Sequence, residues 1–211
     1  DFMIDAAIRA ESYSDFGGTI NGKLAARYAI SNNFALRGSV STGFRAPSLA
    51  QVYFNQTFTN VQNGQIFDAV IANNVDPITV ALGIPPLKEE TAVTGSLGFT
   101  AGNGKGFTAT VDGYYVKIKD RIVLTGQFDN SDPIIGPTLD ALNVTAAQFF
   151  TNAVNTTTIG LDVVLNYSLT LGNNDRLGFS FVSNINSMQV DEVNTTGLLE
   201  GKEDSYFGPR D

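Results

Sequence analysis

The side chains able to do chemistry in this chain form a short inventory, because cysteine and histidine are both absent from its 211 residues. Without them there is no thiolate nucleophile, no disulfide, no serine–histidine triad and no two-histidine zinc site. Carboxylates, amines, guanidiniums and hydroxyls remain. Gly102-Asn103-Gly104-Lys105-Gly106 has the glycine spacing of a phosphate cradle. No Ser or Thr follows its lysine, however, and strand-like sequence lies on both sides where a P-loop needs a helix, so it reads as a hairpin turn. Asp129-Asn130-Ser131-Asp132 resembles the start of a calcium loop but lacks the later glutamate, and reads as a solvated loop. Glu89 and Glu90 are adjacent, so in a strand they point to opposite faces, a poor arrangement for paired acid–base work. No catalytic constellation emerges, and neither an enzyme nor a cofactor is expected.

Other charges recur at regular places. Arg9, Glu11, Lys23, Arg27, Arg37 and Asp112 each fall on the polar face of a segment whose other face is apolar. Leu24, Ala26, Tyr28 and Ile30 oppose Lys23, Ala25, Arg27 and Ala29; Phe34, Leu36, Gly38 and Val40 oppose Ala35, Arg37, Ser39 and Ser41. Alternation with period two is the signature of strands. The same pattern recurs in residues 3–13, 91–100, 107–124, 157–169 and 176–187. That makes about seven strands, each near or above the roughly 9–11 residues that a tilted membrane strand needs.

The links between these strands alternate in length. Ser31-Asn32-Asn33, Gly102-Asn103-Gly104-Lys105 and Gly172-Asn173-Asn174-Asp175 are tight turns rich in residues that tolerate positive φ. Residues 14–20, 49–90 and 126–155 form the longer connections. Short turns on one edge and long loops on the other are the habit of outer-membrane barrels. Tyr28, Phe34, Phe99, Phe107, Tyr167 and Phe179 all lie close to the tight turns and on the apolar face, as rings of an interfacial girdle would. Within the long loops, Asp76-Pro77 with Gly83 predicts one short helix. Thr145 with Gln148 predicts a second through Phe150.

The net charge of −8 argues against nucleic acid as a partner. No stretch approaches the roughly 18 apolar residues of a membrane helix. The chain opens in strand-like sequence without a signal peptide and ends without a terminal strand, so residues 1–211 are expected to be a partial barrel domain. The expected class is all-β: an antiparallel transmembrane barrel with short helices in its long outer loops. The alternative is a small complete outer-membrane barrel serving as an anchor or adhesin.

Thr42-Gly43-Phe44-Arg45-Ala46-Pro47-Ser48-Leu49 resembles a phrase of the TonB-dependent receptors of Gram-negative outer membranes. Tyr13-Ser14-Asp15-Phe16-Gly17, the strand from Asn33 to Ser39, Leu87-Lys88-Glu89-Glu90-Thr91, Ile118-Lys119-Asp120-Arg121-Ile122 and the stretch from Asn152-Ala153 to Gly160-Leu161-Asp162-Val163 resemble further phrases in the family's order. Glu89 stands where the family usually has proline. The resemblance implies a barrel of about 22 strands filled by a plug domain of the same full-length chain. It also implies a place in the outer membrane among its lipids, indirect coupling to the TonB complex, and import of a small scarce nutrient of the siderophore, oligosaccharide, peptide or cobalamin class. Haem is disfavoured, since the family's haem receptors carry a histidine that this chain lacks. Arg9, Glu11, Lys23, Arg27, Arg37 and Asp112 would then line the lumen and meet the plug, a substrate or water. For Arg45 the resemblance leaves a structural role at the wall and ligand binding both open.

Overall fold

The computed structural model describes residues 1–14, 17–62, 65–172 and 175–194. In chain order the elements are β1 (Phe2–Tyr13), β2 (Gly17–Ser31), β3 (Phe34–Arg45), α1 (Leu49–Tyr53), β4 (Gln56–Gln62), β5 (Gln65–Ala72), α2 (Pro77–Ala81), β6 (Glu90–Gly102), β7 (Phe107–Leu124), β8 (Phe128–Asp129), α3 (Gly136–Ala141), β9 (Ala146–Thr170) and β10 (Arg176–Val193). No helix among the described residues is long and apolar enough to cross a membrane. They divide into two compact units: one within residues 1–44, 91–118 and 156–189, the other within residues 45–90, 119–155 and 190–194.

The first unit is a sheet whose strands follow one another in the order β1-β2-β3-β6-β7-β9-β10. These are the seven strands that alternation predicts. Ser31 pairs with Phe34 across the first tight turn. Gly102 N–H donates to Asn33 O at 2.8 Å and Ser168 N–H to Gly106 O at 2.9 Å, so the first two turns and the end of β9 share one edge. Leu171 N–H donates to Asp175 O at 2.8 Å, which places the third turn there too, although Asn173 and Asn174 lie outside the described residues. The second turn is built as its glycines predict. Asn103 Oδ1 accepts from the backbone N–H groups of Lys105 and Phe107 at 2.8 and 3.0 Å, while Gly104 and Gly106 take φ of 66° and 112°. Only glycine adopts the latter cheaply.

One face of this sheet is apolar and open: Leu36, Val40, Leu97, Leu161 and Phe181 are all exposed. Aromatic rings meet beside the turns, Phe34 stacking on Phe99 at 5.6 Å and Phe2 edge-on to Tyr28 at 6.4 Å.

The second unit has a conventional core. Phe128 stacks on Phe149 with centroids 5.1 Å apart, surrounded by Val70, Ile78, Leu82, Ile135 and Leu139. The α2 helix starts as predicted: the Asp76 side chain accepts from Ile78 N–H, Pro77 fills the first turn, and Gly83 has φ of 67°. The helix expected from Thr145 to Phe150 is not formed. Both the N–H and the hydroxyl of Thr145 donate to Asp68 O, at 3.1 and 2.8 Å, and Gln148 Nε2 donates to Thr125 O. With neither side chain free to cap, residues 146–149 pair in parallel with β5 instead. The loop helix is α3, ten residues earlier in the chain. Stretch 49–90, expected as a loop with one helix, also holds α1 and the β4–β5 hairpin.

Candidate functional site

On the polar face of the first unit, charges are braced across the sheet. Arg37 on β3 forms a two-pronged pair with Asp112 on β7, Nε to Oδ1 at 2.8 Å and Nη2 to Oδ2. Strand β6 lies between them. Gly98 on β6 lets the pair form, because a Cβ there would collide with the Asp112 carboxylate. Beside it, the hydroxyls of Ser39 and Ser96 share a hydrogen bond of 2.8 Å.

The same device recurs two strands on. Tyr114 lies against Gly160 of β9, where a Cβ would strike its ring. Its hydroxyl accepts at 3.0 Å from Asn184 of β10, which also donates to Asp162 at 2.6 Å. Arg37, Asp112 and Asp162 thus occupy the face opposite Leu36, Leu97 and Leu161, as alternation requires.

Of the six predicted site residues, four are therefore spoken for. Arg9 pairs with Glu11 at 2.5 Å, and Tyr13 donates to the same Glu11 oxygen at 3.0 Å. Arg37 and Asp112 pair with each other. Lys23 and Arg27 sit with Arg37, Ser39, Ser96 and Asp112 around a groove of about 500 Å3. Arg9 lines a separate hollow of about 260 Å3 with Lys23 and Thr42. A fully buried Oε2 leaves Glu11 with one oxygen lacking a described partner.

The second unit holds a further cluster, built around Arg45. Arg45 donates to both oxygens of Glu90, Nε to Oε2 at 2.8 Å and Nη2 to Oε1. Ile122 N–H donates to Oε1 at 2.7 Å. Only 6% of Glu90 is exposed. Burial alone would raise its pKa; the Arg45 guanidinium, the Ile122 amide and the nearby Arg121 charge together outweigh burial and hold the carboxyl below the ordinary glutamate range.

Around it, Asn152 Nδ2 donates to the carbonyls of Lys88 and Asp120 at 2.9 and 2.7 Å, and its Oδ1 accepts from Lys88 N–H at 2.9 Å. Asn155 Oδ1 accepts from Asp120 N–H at 2.9 Å. Asp120 itself has φ of 57°, a left-handed conformation that Asp tolerates better than most residues. A parity count from Arg37 to Arg45, and from Ser96 back to Glu90, would have put Arg45 and Glu90 on one face. Nothing local signals the two asparagines.

The other candidates resolve as loop chemistry. Asp129 Oδ1 accepts from the N–H and hydroxyl of Ser131, and Asp132 Oδ1 from the N–H groups of Ile134 and Ile135. Those carboxylates close turns. No cluster of three metal-ligating carboxylates exists among the described residues.

Comparison with known proteins adds an independent line. The family model described as "TonB dependent receptor-like, beta-barrel" matches residues 1–205. No curated protein matches the sequence. Among solved structures, the siderophore receptor PirA from Pseudomonas aeruginosa superposes with a TM-score of 0.59 at 19% identity, over 90% of this chain and 32% of that one. The RagAB peptide importer gives 0.61 at 17%, over 93% and 21%. The ferric enterobactin receptor PfeA from Pseudomonas aeruginosa, solved as a mutant, gives 0.60 at 16%, over 87% and 24%. The chain spans a third or less of the length of these relatives, and at such identities the likeness is one of fold.

Proposed function

The chain belongs to the TonB-dependent receptor-like β-barrel family, and from that premise we propose that it is a section of the wall of an outer-membrane importer for a scarce nutrient. The observation that carries this reading is the two-faced seven-strand sheet. An apolar face with aromatic rings gathered at the turn edge suits lipid, and a polar face braced by Arg37–Asp112 and Tyr114–Asn184–Asp162 suits a water-filled or plugged lumen. Family membership implies the Gram-negative outer membrane and transport without catalysis. Strands β7 and β9, 18 and 25 residues long, exceed the roughly 9–11 residues that a span needs.

The full-length protein, on this proposal, adds the remaining strands, a plug domain within the lumen and a segment that meets TonB. The imported class is a siderophore or a peptide, as with the solved relatives, or an oligosaccharide or cobalamin. Residues 1–211 form one partial barrel domain in it. Arg9, Glu11, Lys23, Arg27, Arg37 and Asp112 face its lumen, the first and last pairs as wall braces. The relatives are roughly three to four times as long as this chain, which favours this over a small complete anchor or adhesin.

The test is uptake. A strain lacking its own receptors is given the full-length protein, and growth is measured on limiting ferric siderophore, peptide, oligosaccharide or cobalamin, with and without TonB. Growth restored on one class only with TonB present is the expected result. Restoration that is indifferent to TonB would refute the importer reading.

A further inference from the structure

The β4–β5 hairpin of the second unit ends in an open strand edge. Strand β5 pairs on one side with β9, in parallel, and on the other with β4; beyond β4 the sheet order stops. The β4–β5 register runs from Gln56 opposite Ile71 to Gln62 opposite Gln65 without a bulge. Every second residue of β4 therefore turns its N–H and C=O outward, with no strand among the described residues to pair them. Proteins usually blunt such an edge with a charge, a proline or a bulge. Gln56-Thr57-Phe58-Thr59-Asn60-Val61-Gln62 has none of these. Phe58 and Val61 are exposed, and alternation sets them on opposite faces of the strand. One strand in, Asp68 lies opposite Thr59 and accepts its hydroxyl at 2.7 Å through Oδ1. No cation among the described residues pairs with Asp68, and residues 46–87 contain neither lysine nor arginine.

We propose that the outer edge of β4 binds an extended peptide carrying an arginine or lysine, which adds a third strand to the hairpin. Main-chain hydrogen bonds to the unpaired groups of β4 hold the peptide, and its alternate side chains fall to the two faces. On one face they meet Phe58, and on the other Thr57, Thr59 and Val61. The basic side chain lies over Thr59 and reaches the Asp68 carboxylate beyond it. That reach has a precedent in the first unit, where Arg37 meets Asp112 across the intervening β6. Thr59 is small and already points its hydroxyl at Asp68, so it leaves the other carboxylate oxygen to the newcomer. A second copy of the chain is the poorer occupant. Stable interfaces between folded proteins use roughly 20–30 residues a side, whereas β4 has 7, the length of one short strand. Only the role of the peptide as imported cargo rests on the importer reading above; the binding itself does not.

The experiment uses the full-length receptor in detergent, as wild type, Asp68→Asn and Thr59→Lys. The probe is a fluorescent heptapeptide of alternating threonine and valine with arginine at its centre. Control peptides carry glutamate in place of the arginine, or N-methyl groups on every second amide. Binding is read by fluorescence anisotropy, and hydrogen exchange of the β4 amides is followed with and without peptide. The expected result is binding that slows exchange along β4 and is lost on N-methylation. It should weaken about tenfold in Asp68→Asn, the loss of one charge-assisted contact, and at least as much in Thr59→Lys, which sets a cation on the edge. The glutamate peptide should bind more weakly than the arginine one to wild type and equally to Asp68→Asn. No binding, binding indifferent to N-methylation or to Asp68→Asn, or β4 amides all protected before peptide is added overturns the proposal; the last would mean that another segment of the receptor or a second copy already covers the edge. Heat-modifiable gel mobility confirms that each variant is folded. Edge binding without TonB-dependent growth on any nutrient would refute the importer reading and leave this site standing, while TonB-dependent growth without edge binding would do the reverse.

Discussion

Removing Arg45 should cost more than neutralising the carboxylate it holds, and neutralising that carboxylate should then restore part of the loss. Glu90 is nearly fully buried, whereas the Arg45 side chain is 55% exposed. Arg45→Ala leaves a buried charge with the Ile122 amide as its remaining direct donor among the described residues. Breaking a buried pair costs about 3–5 kcal/mol. The open side of Arg45 lets water replace part of what is lost, which brings the expectation to about 3 kcal/mol. Glu90→Gln keeps an acceptor for Ile122 and frees Arg45 into solvent, so it should cost only about 1–2 kcal/mol. The double variant Arg45→Ala/Glu90→Gln contains no buried charge. It should be more stable than Arg45→Ala alone by about 1 kcal/mol or more, a coupling that double-mutant cycles isolate. Hydrogen exchange of the β7 amides around Ile122, in the full-length receptor, reads the local opening free energy directly. If adding Glu90→Gln deepens the defect of Arg45→Ala, the pair does not carry the energy assigned to it. If Arg45→Ala leaves β7 protection unchanged and abolishes uptake, Arg45 is a ligand residue and not a brace.

Other expectations can be checked on the same material. Because the Glu90 carboxyl titrates below the ordinary glutamate range in the fold, the unfolded state binds more protons in that window. The stabilisation is present above about pH 4.3 and drains away as pH falls through the lower folded value; Glu90→Gln should flatten this dependence of β7 protection. Val163→Arg should destabilise the barrel in lipid vesicles by about 2–4 kcal/mol if Val163 lies near the bilayer midplane, and an unchanged urea midpoint would contradict the lipid-facing assignment. Gly160→Ala should be strongly destabilising because of the Tyr114 ring, with Tyr114→Ser in the same chain relieving it; equal stability of Gly160→Ala and wild type would show that the ring does not lie there. Asn152→Ala strips partners from Lys88 and Asp120 and should cost about 2–3 kcal/mol, read as faster exchange at Lys88.

Much of the wall was legible because a strand's side chains repeat every two residues, so the apolar and polar faces follow from counting. The turns were legible because asparagine and glycine at Asn103, Gly104 and Gly106 serve backbone shapes that few residues accept. The loops were less so, and one motif shows why. Ser48 with Gln51 makes both hydrogen bonds of a capping box and starts α1, a helix the sequence reading passed over. Thr145 with Gln148 has equivalent local chemistry and starts none, because Asp68 O and Thr125 O take their donors and Phe149 is drawn into the stack with Phe128. Asp68 is 77 residues away from Thr145, beyond any local pattern.

For the polar face the limit is of another kind. Period two tells that Arg37 and Asp112 point the same way, but not that they meet, since a strand separates them and 75 residues lie between them in the chain. What makes the meeting possible is an absence, the missing side chain at Gly98. A glycine in a strand interior weakens it and is hard to justify unless something crosses above. Gly160 under Tyr114 obeys the same logic. Gly98 and Gly160 thus mark where the two braces run, and the charges beside those crossings are consumed by the sheet. Lys23 and Arg27 have no such crossing next to them. Gly22, the glycine nearest to Lys23 in sequence, would set its Cβ no closer than 3.8 Å to the Ala7 carbonyl, ordinary contact with backbone and no side chain overhead.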